Sequence, residues 1–149
     1  MSIEYSLASP ELVRELVADP RHWEIASDDF MQDGREEWQP ATDSRVLYVA
    51  ASDQQGAIGL YTLVCHNAVM WEMHCTQAFG SRAEQAARGL IQRMFETTQC
   101  RRIIALIPAY NRLAVRHAER CGLKRFAVNE RSVMKHGELH DQIFLGISA

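Results

Sequence analysis

Five consecutive apolar residues, Ile103 to Ile107, closed by Pro108, constrain the fold of this chain more than any other feature. A run so short and so unbroken is the pattern of a strand covered on both faces, which requires helices on either side of a sheet. Upstream, Ala83, Ala87, Leu90, Ile91, Met94 and Phe95 recur at helical spacing across Ala83 to Thr98. Before that helix stand three β-like runs, Val46 to Ala51, Ala57 to Val64 and Ala68 to Cys75, separated by the turn compositions Ser52-Asp53-Gln54-Gln55-Gly56 and His66-Asn67. Three short-linked strands predict an antiparallel meander. The unit from Ala68 to Ile107 is a strand-helix-strand crossover, which places its two strands parallel.

The flanks complete the order. Ile3 to Leu7 alternates like a strand, and Ser9-Pro10-Glu11 supplies an N-cap, a first-turn proline and an early carboxylate for a helix ended by Asp19-Pro20. A less regular helical piece from His22 to Phe30 is expected to end near Asp33-Gly34, and the polar stretch from Arg35 to Ser44 reads as a loop. Asn111 to Cys121 returns to helical period and stops at Gly122, a natural left-handed residue beyond a helix end. Phe126 to Met134 and Gln142 to Ile147 then read as strands around a turn at His136-Gly137. The resulting order is β-α-α-β-β-β-α-β-α-β-β, one domain over residues 1–149. In such sheets, ligands sit beyond the carboxyl ends of adjacent parallel strands, near the N-terminus of the crossover helix.

Composition narrows the partners. With 16 Lys+Arg against 19 Asp+Glu and no basic cluster longer than the pair Arg101-Arg102, the chain lacks the concentrated positive charge that nucleic acid or an anionic membrane needs. No apolar stretch approaches the length of a membrane span. The opening Met1-Ser2-Ile3-Glu4-Tyr5 lacks the basic region and apolar run of a secretion signal, so a cytoplasmic chain is expected. Cys65, Cys75, Cys100 and Cys121 are widely spaced with no CxxC pair, which favours buried reduced thiols over a disulfide frame. Cys65-His66 and His74-Cys75 point neighbouring residues to opposite faces of a strand, so no metal site is expected.

At two places the residues carry a resemblance. Arg82-Ala83-Glu84-Gln85-Ala86-Ala87 leads into Arg88-Gly89-Leu90-Ile91-Gln92-Arg93-Met94, and Asn111-Arg112-Leu113-Ala114 leads through Ala118 to Gly122-Leu123. Both resemble motifs of the GCN5-related N-acetyltransferase (GNAT) superfamily. The first is similar to its pyrophosphate loop, Arg/Gln-x-x-Gly-x-Gly/Ala, with Gln85 in place of the first glycine. The second is similar to its Asn-x-x-Ala-x-x-Leu-Tyr-x-x-x-Gly-Phe segment, with Ala118 where the tyrosine acid would stand. A narrower similarity, from about Trp71 to Ile147, is to acetyltransferase-like proteins encoded by tailed bacteriophages and prophages, some of which are head-assembly or virion-associated proteins.

The resemblance implies a fold and a reaction. The fold is the GNAT fold, an α/β (α+β) architecture with a mixed, mostly antiparallel seven-stranded sheet and helices on both faces. The reaction is transfer of an acetyl group from acetyl-CoA, as cosubstrate, to a primary amine. Arg82, Gln85, Ala86, Ala87 and Arg88 would line the pyrophosphate site, Asn111 and Ala114 the pantetheine arm, and the backbone of Met73 and Cys75 the thioester. The alternative is a GNAT-like virion or head-assembly protein, or a regulator of a host protein, that has lost catalysis, located in a host cytoplasm or in the virion.

The residues themselves suggest the chemistry. On an alternating fourth strand, Met70, Glu72 and His74 share a face, so Glu72 can hold the His74 imidazole in a useful tautomer for base catalysis. Equally, the two form an exposed polar pair on a solvated face. Tyr110, His117 or Cys121 can replace the missing tyrosine as the acid. Trp23, Trp38 and Trp71 read as core or loop anchors, and Glu36-Glu37 would attract a cationic acceptor. The apolar strand Ile143 to Ile147 is expected to offer an edge for pairing with a second copy in a homodimer.

Overall fold

The computed structural model describes residues 1–31 and 34–149. Its strands are β1 (Glu4–Leu7), β2 (Val46–Asp53), β3 (Gly56–Asn67), β4 (Met70–Ala78), β5 (Arg102–Pro108), β6 (Lys124–Lys135) and β7 (Glu138–Ser148). The helices are α1 (Pro10–Val17), α2 (Pro20–Ala26), α3 (Gly34–Glu37), α4 (Ala83–Thr97) and α5 (Arg112–Arg120). The strands form one seven-stranded sheet in the order β1-β2-β3-β4-β5-β7-β6. Every neighbouring pair is antiparallel except β4 and β5.

Alternation divides the residues between two faces. On one, Val49 and Ala51 of β2, Tyr61 and Leu63 of β3, Met73 of β4 and Ile103, Ala105 and Ile107 of β5 meet Ala86, Ala87, Leu90, Ile91 and Met94 of α4 and Val115 and Ala118 of α5. On the other, Leu60 is buried with Val13 and Val17 of α1, with Trp23, Trp38 and Tyr48 around them. Ile104 is buried as well, so β5 is covered on both faces as its apolar run requires.

Two phenols fix α4 on the sheet. Tyr5 donates to the carbonyl of Ala86 (2.8 Å) and Tyr61 to that of Ala83 (3.4 Å). Gly89 makes the first of these contacts geometrically available, because a Cβ there would collide with the Tyr5 hydroxyl.

Three expectations are corrected. The stretch from Arg35 to Ser44 is not wholly a loop: α3 forms at its start, and the carbonyls of Glu36 and Trp38 accept from the Arg14 guanidinium, which ties it to α1. The second helix starts earlier and ends sooner than His22 to Phe30. Asp19 caps it through the Arg21 N–H (2.9 Å), Pro20 opens it, and Ser27 leaves it in extended conformation. Asp33, placed at its end by the sequence pattern, lies outside the described residues. Finally, Ile143 to Ile147 cannot pair with a second copy, because β7 is inserted between β5 and β6 and is bonded on both edges. The outer strands of the sheet are β1 and β6, and on β6 Phe126 and Val128 are about half exposed.

Candidate functional site

The site begins where the parallel pair ends. β4 and β5 are in register only from Met70 to Glu72 against Arg102 to Ile104, after which β4 continues to Ala78 and β5 to Pro108 without pairing. Beyond that register, the edge of β4 from Met73 to Ala78 and the facing edge of β5 from Ala105 to Pro108 are not paired with each other. A bulge adds to this divergence. Leu60 stands opposite Gln77 and Tyr61 opposite Cys75, so Thr76 has no partner residue in β3, although its hydroxyl bonds that of Thr62 (2.6 Å). A bulge of this kind sharpens local twist and bends a strand away from its neighbour.

His74 is the first residue on its face of β4 beyond the last pairing with β5. Glu72 lies beside it and accepts from two imidazoles, from Nε2 of His74 at Oε1 and from Nε2 of His66 at Oε2 (2.8 Å). The Glu72 side chain is 15% exposed, against 37% for His74 and 39% for His66. The hydrogen bond from His74 contributes most to holding the Glu72 carboxyl down at about 2, and burial, which opposes it, does not prevail. Glu72 is therefore ionised and cannot itself act as a neutral-pH base. Because it can only accept, both histidines present Nε2–H to it, and in a neutral imidazole Nδ1 is then the nitrogen able to accept. His66, near the end of β3, lies outside the alternation argument: it falls in the register shift between Cys65 and Asn67, two residues beyond Val64, which stands opposite Glu72.

Beyond the end of β5, Tyr110 follows Pro108 by two residues, and its ring meets His140 edge-on at 4.9 Å between centroids. Its hydroxyl is buried without a hydrogen-bond partner among the described residues, as is Oε1 of Gln77. Burial raises the Tyr110 phenol, with the Asp28 and Asp29 carboxylates adding to the effect, so the group keeps its proton. The other two candidate acids are engaged elsewhere. Cys121 contacts Nε2 of His117 at 3.7 Å and is pushed up to about 11 by burial, while burial lowers His117. Ala118 lies 8% exposed in the core beneath α5. Cys75 is pushed up to about 12 by burial and is a neutral thiol; all four cysteines are free.

The first turn of α4, expected from the resemblance to take a pyrophosphate, is more heavily tied than its motif implies. Arg82 is the N-cap of α4 without a side-chain capping bond, and its guanidinium pairs with Asp53, donates to the Met1 carbonyl (2.8 Å) and to Oε1 of Gln85 (3.1 Å). Arg88 and Arg120 converge on one carboxylate, Glu84, at 3.3 and 3.6 Å, which leaves a net positive charge beside the first turns of α4. Arg120 was not distinguishable in the sequence, since it lies on a different helix. Asn111 caps α5 by accepting from the Ala114 N–H (3.2 Å). Ala86 and Ala87 are buried under α4, where their small side chains let the helix approach the sheet. Among the described residues no group of three or more His, Cys, Asp or Glu is arranged to hold a metal ion, and no helix is long and apolar enough to cross a membrane.

No family model matches the chain, and no curated protein matches it. Solved structures do. A chimera of the Vibrio cholerae spermidine N-acetyltransferase is 16% identical, with 99% of this chain and 96% of that one covered at a TM-score of 0.73. A GNAT-family acetyltransferase from Streptococcus pneumoniae is 15% identical, with 99% and 100% covered at 0.69. A microcin C7 self-immunity acetyltransferase, solved with acetyl-CoA and AMP, is 17% identical, with 70% and 62% covered at 0.60. The fold is that of the GCN5-related N-acetyltransferases.

Proposed function

We propose that the protein is an acetyl-CoA-dependent N-acetyltransferase acting on a primary amine. The observation that carries this reading is the divergence of β4 from β5 beyond Glu72, with the Glu72-bonded imidazole of His74 on β4 and the buried phenol of Tyr110 just after β5. The donor set suits the cosubstrate: an uncapped α4 N-terminus with Arg88 and Arg120 for phosphates, and open strand amides around Cys75 together with the unpartnered Gln77 for the amide-bearing arm. When bound, acetyl-CoA supplies an activated thioester acyl group. His74 takes a proton from the acceptor amine at Nδ1, Glu72 holds the resulting imidazolium through Nε2–H, and Tyr110 keeps a proton at its hydroxyl beyond the end of β5. Asn111 and Ala114 shape the start of α5 beside the arm, and the Met73 and Cys75 backbone lines the cleft.

A second reading, a protein of this fold without catalysis in a phage particle or on a host protein, is favoured by one observation: the Arg82 guanidinium is already committed to Asp53 and Met1. Calorimetric titration with acetyl-CoA separates the two, followed by thiol release with a panel of polyamines, amino acids and peptides. Binding in the micromolar range and amine-dependent thiol release are expected. No heat at millimolar acetyl-CoA overturns the enzyme reading.

A further inference from the structure

His66 is the member of the Glu72 cluster that the acetyl-transfer chemistry leaves unused, yet it occupies one of the two carboxylate oxygens. A carboxylate on a strand has a broad terminal torsion and no intrinsic preference for presenting a given oxygen to its neighbour. Here the His66 Nε2–H, at 2.8 Å from Oε2, fixes that torsion, and Oε1 is left directed at Nε2 of His74. The other groups on this face do not compete for the carboxylate. Opposite Glu72 and His74 on β3 stand Val64 and Thr62, and the Thr62 hydroxyl is bonded to Thr76. On β5 Arg102 donates to Ser148 and lies over Phe126. On β2 the Tyr48 hydroxyl accepts from the Ala41 N–H. From α1, which packs on β4, Arg14 is tied to the carbonyls of Trp38 and Glu36, while Glu11 and Glu15 carry the sign that repels Glu72.

From this we infer that His66 is a positioning residue: by pinning Oε2 of Glu72 it keeps Oε1 on the Nε2–H of His74, and so holds the imidazole in the orientation and tautomer that present Nδ1 to the acceptor amine. The inference rests on the acetyltransferase reading for its use, but not for its geometry. It assigns the β3-β4 hairpin end a part in proton removal that no sequence motif marks.

The test combines nitrogen NMR with kinetics. In the unaltered protein, long-range ¹⁵N correlation spectra are expected to show His74 protonated at Nε2 and bare at Nδ1. In His66→Ala, the His74 signals are expected to move toward a mixture of tautomers, with kcat about tenfold lower and KM for acetyl-CoA unchanged, since loss of part of a base's orientation removes part of its usual 10²–10⁴ contribution. His66→Gln, which keeps an N–H donor at the same reach, is expected to restore both. His74 signals identical in the unaltered and His66→Ala proteins overturn the inference. If instead the tautomer responds as described while no amine supports thiol release in any form of the protein, the positioning stands and the acetyltransferase reading falls.

Discussion

Glu72 shows how much one side chain can be constrained by two neighbours. Its carboxyl titrates at about 2 against an ordinary 4.5, with the His74 hydrogen bond as the leading cause. A depressed folded-state value means the stabilisation is complete above the unfolded carboxylate range and is lost as the pH falls from about 4.5 toward about 2. Glu72→Gln should therefore cost roughly 2 kcal/mol at pH 7, the scale of a charge-assisted hydrogen bond, and much less near pH 2. Urea unfolding of both proteins at the two pH values checks this, and a gap that is the same at both would exclude it. The Nε2–H of His74 follows from the same pair, since an acceptor-only partner must be met by a donor.

At the scale of elements, the tip of the β6-β7 hairpin and the end of α2 form a clasp. Lys135, 9% exposed, donates to the carbonyls of Glu24 (2.7 Å) and Ser27 (2.7 Å) and to the Ser27 hydroxyl, satisfying groups that a helix end leaves open. Asp29 receives the N–H groups of His136 (2.9 Å) and Gly137 (2.7 Å), and these backbone bonds are the main reason its carboxyl is lowered. Because the clasp joins segments more than 100 residues apart in sequence, it holds the wall formed by α2 against the hairpin that carries His140 and, through it, Tyr110. Lys135→Met is expected to cost roughly 2–3 kcal/mol, leaving the two buried oxygens of Ser27 and the partly buried carbonyl of Glu24 without this donor. Its signature is faster amide exchange confined to Ser27 through Met31 and Met134 through Gly137. Loss of stability with unchanged exchange in those segments would assign Lys135 a different role.

For the whole molecule, the unpaired ends of β4 and β5 are the least satisfied part of an otherwise continuous sheet. A ligand bridging them adds stability by mass action, about 2.7 kcal/mol at a hundredfold excess over Kd. Acetyl-CoA is accordingly expected to raise the Tm and to slow amide exchange at Cys75, Thr76, Gln77, Leu106 and Ile107 while leaving the β2-β3 ladder unchanged. Protection spread evenly over the sheet would point to binding elsewhere. The outer strand β6 is the place to look for association, since β7 is enclosed.

Much of the fold was legible because it depends on local period. The run Ile103 to Ile107, the spacing in α4, and Gly122, at φ +97°, each state their structure within a few residues. The short α3 escaped because Arg14, on another helix, holds it. The interior position of β7 escaped because strand order is a matter of long-range pairing. At the site, the shared face of Glu72 and His74 could be read from alternation, and Ala118 in place of a tyrosine from the resemblance to the GNAT motif. The partnership of His66 with Glu72, the convergence of Arg88 and Arg120 on Glu84, the commitment of Arg82 to Asp53 and the unpartnered hydroxyl of Tyr110 could not. The sequence by itself determined which segments are strands and helices and which residues each turns inward, because backbone geometry repeats every two or 3.6 residues. Only the tertiary structure decided which charges meet and which polar atoms remain open, because those contacts join residues with no fixed separation along the chain.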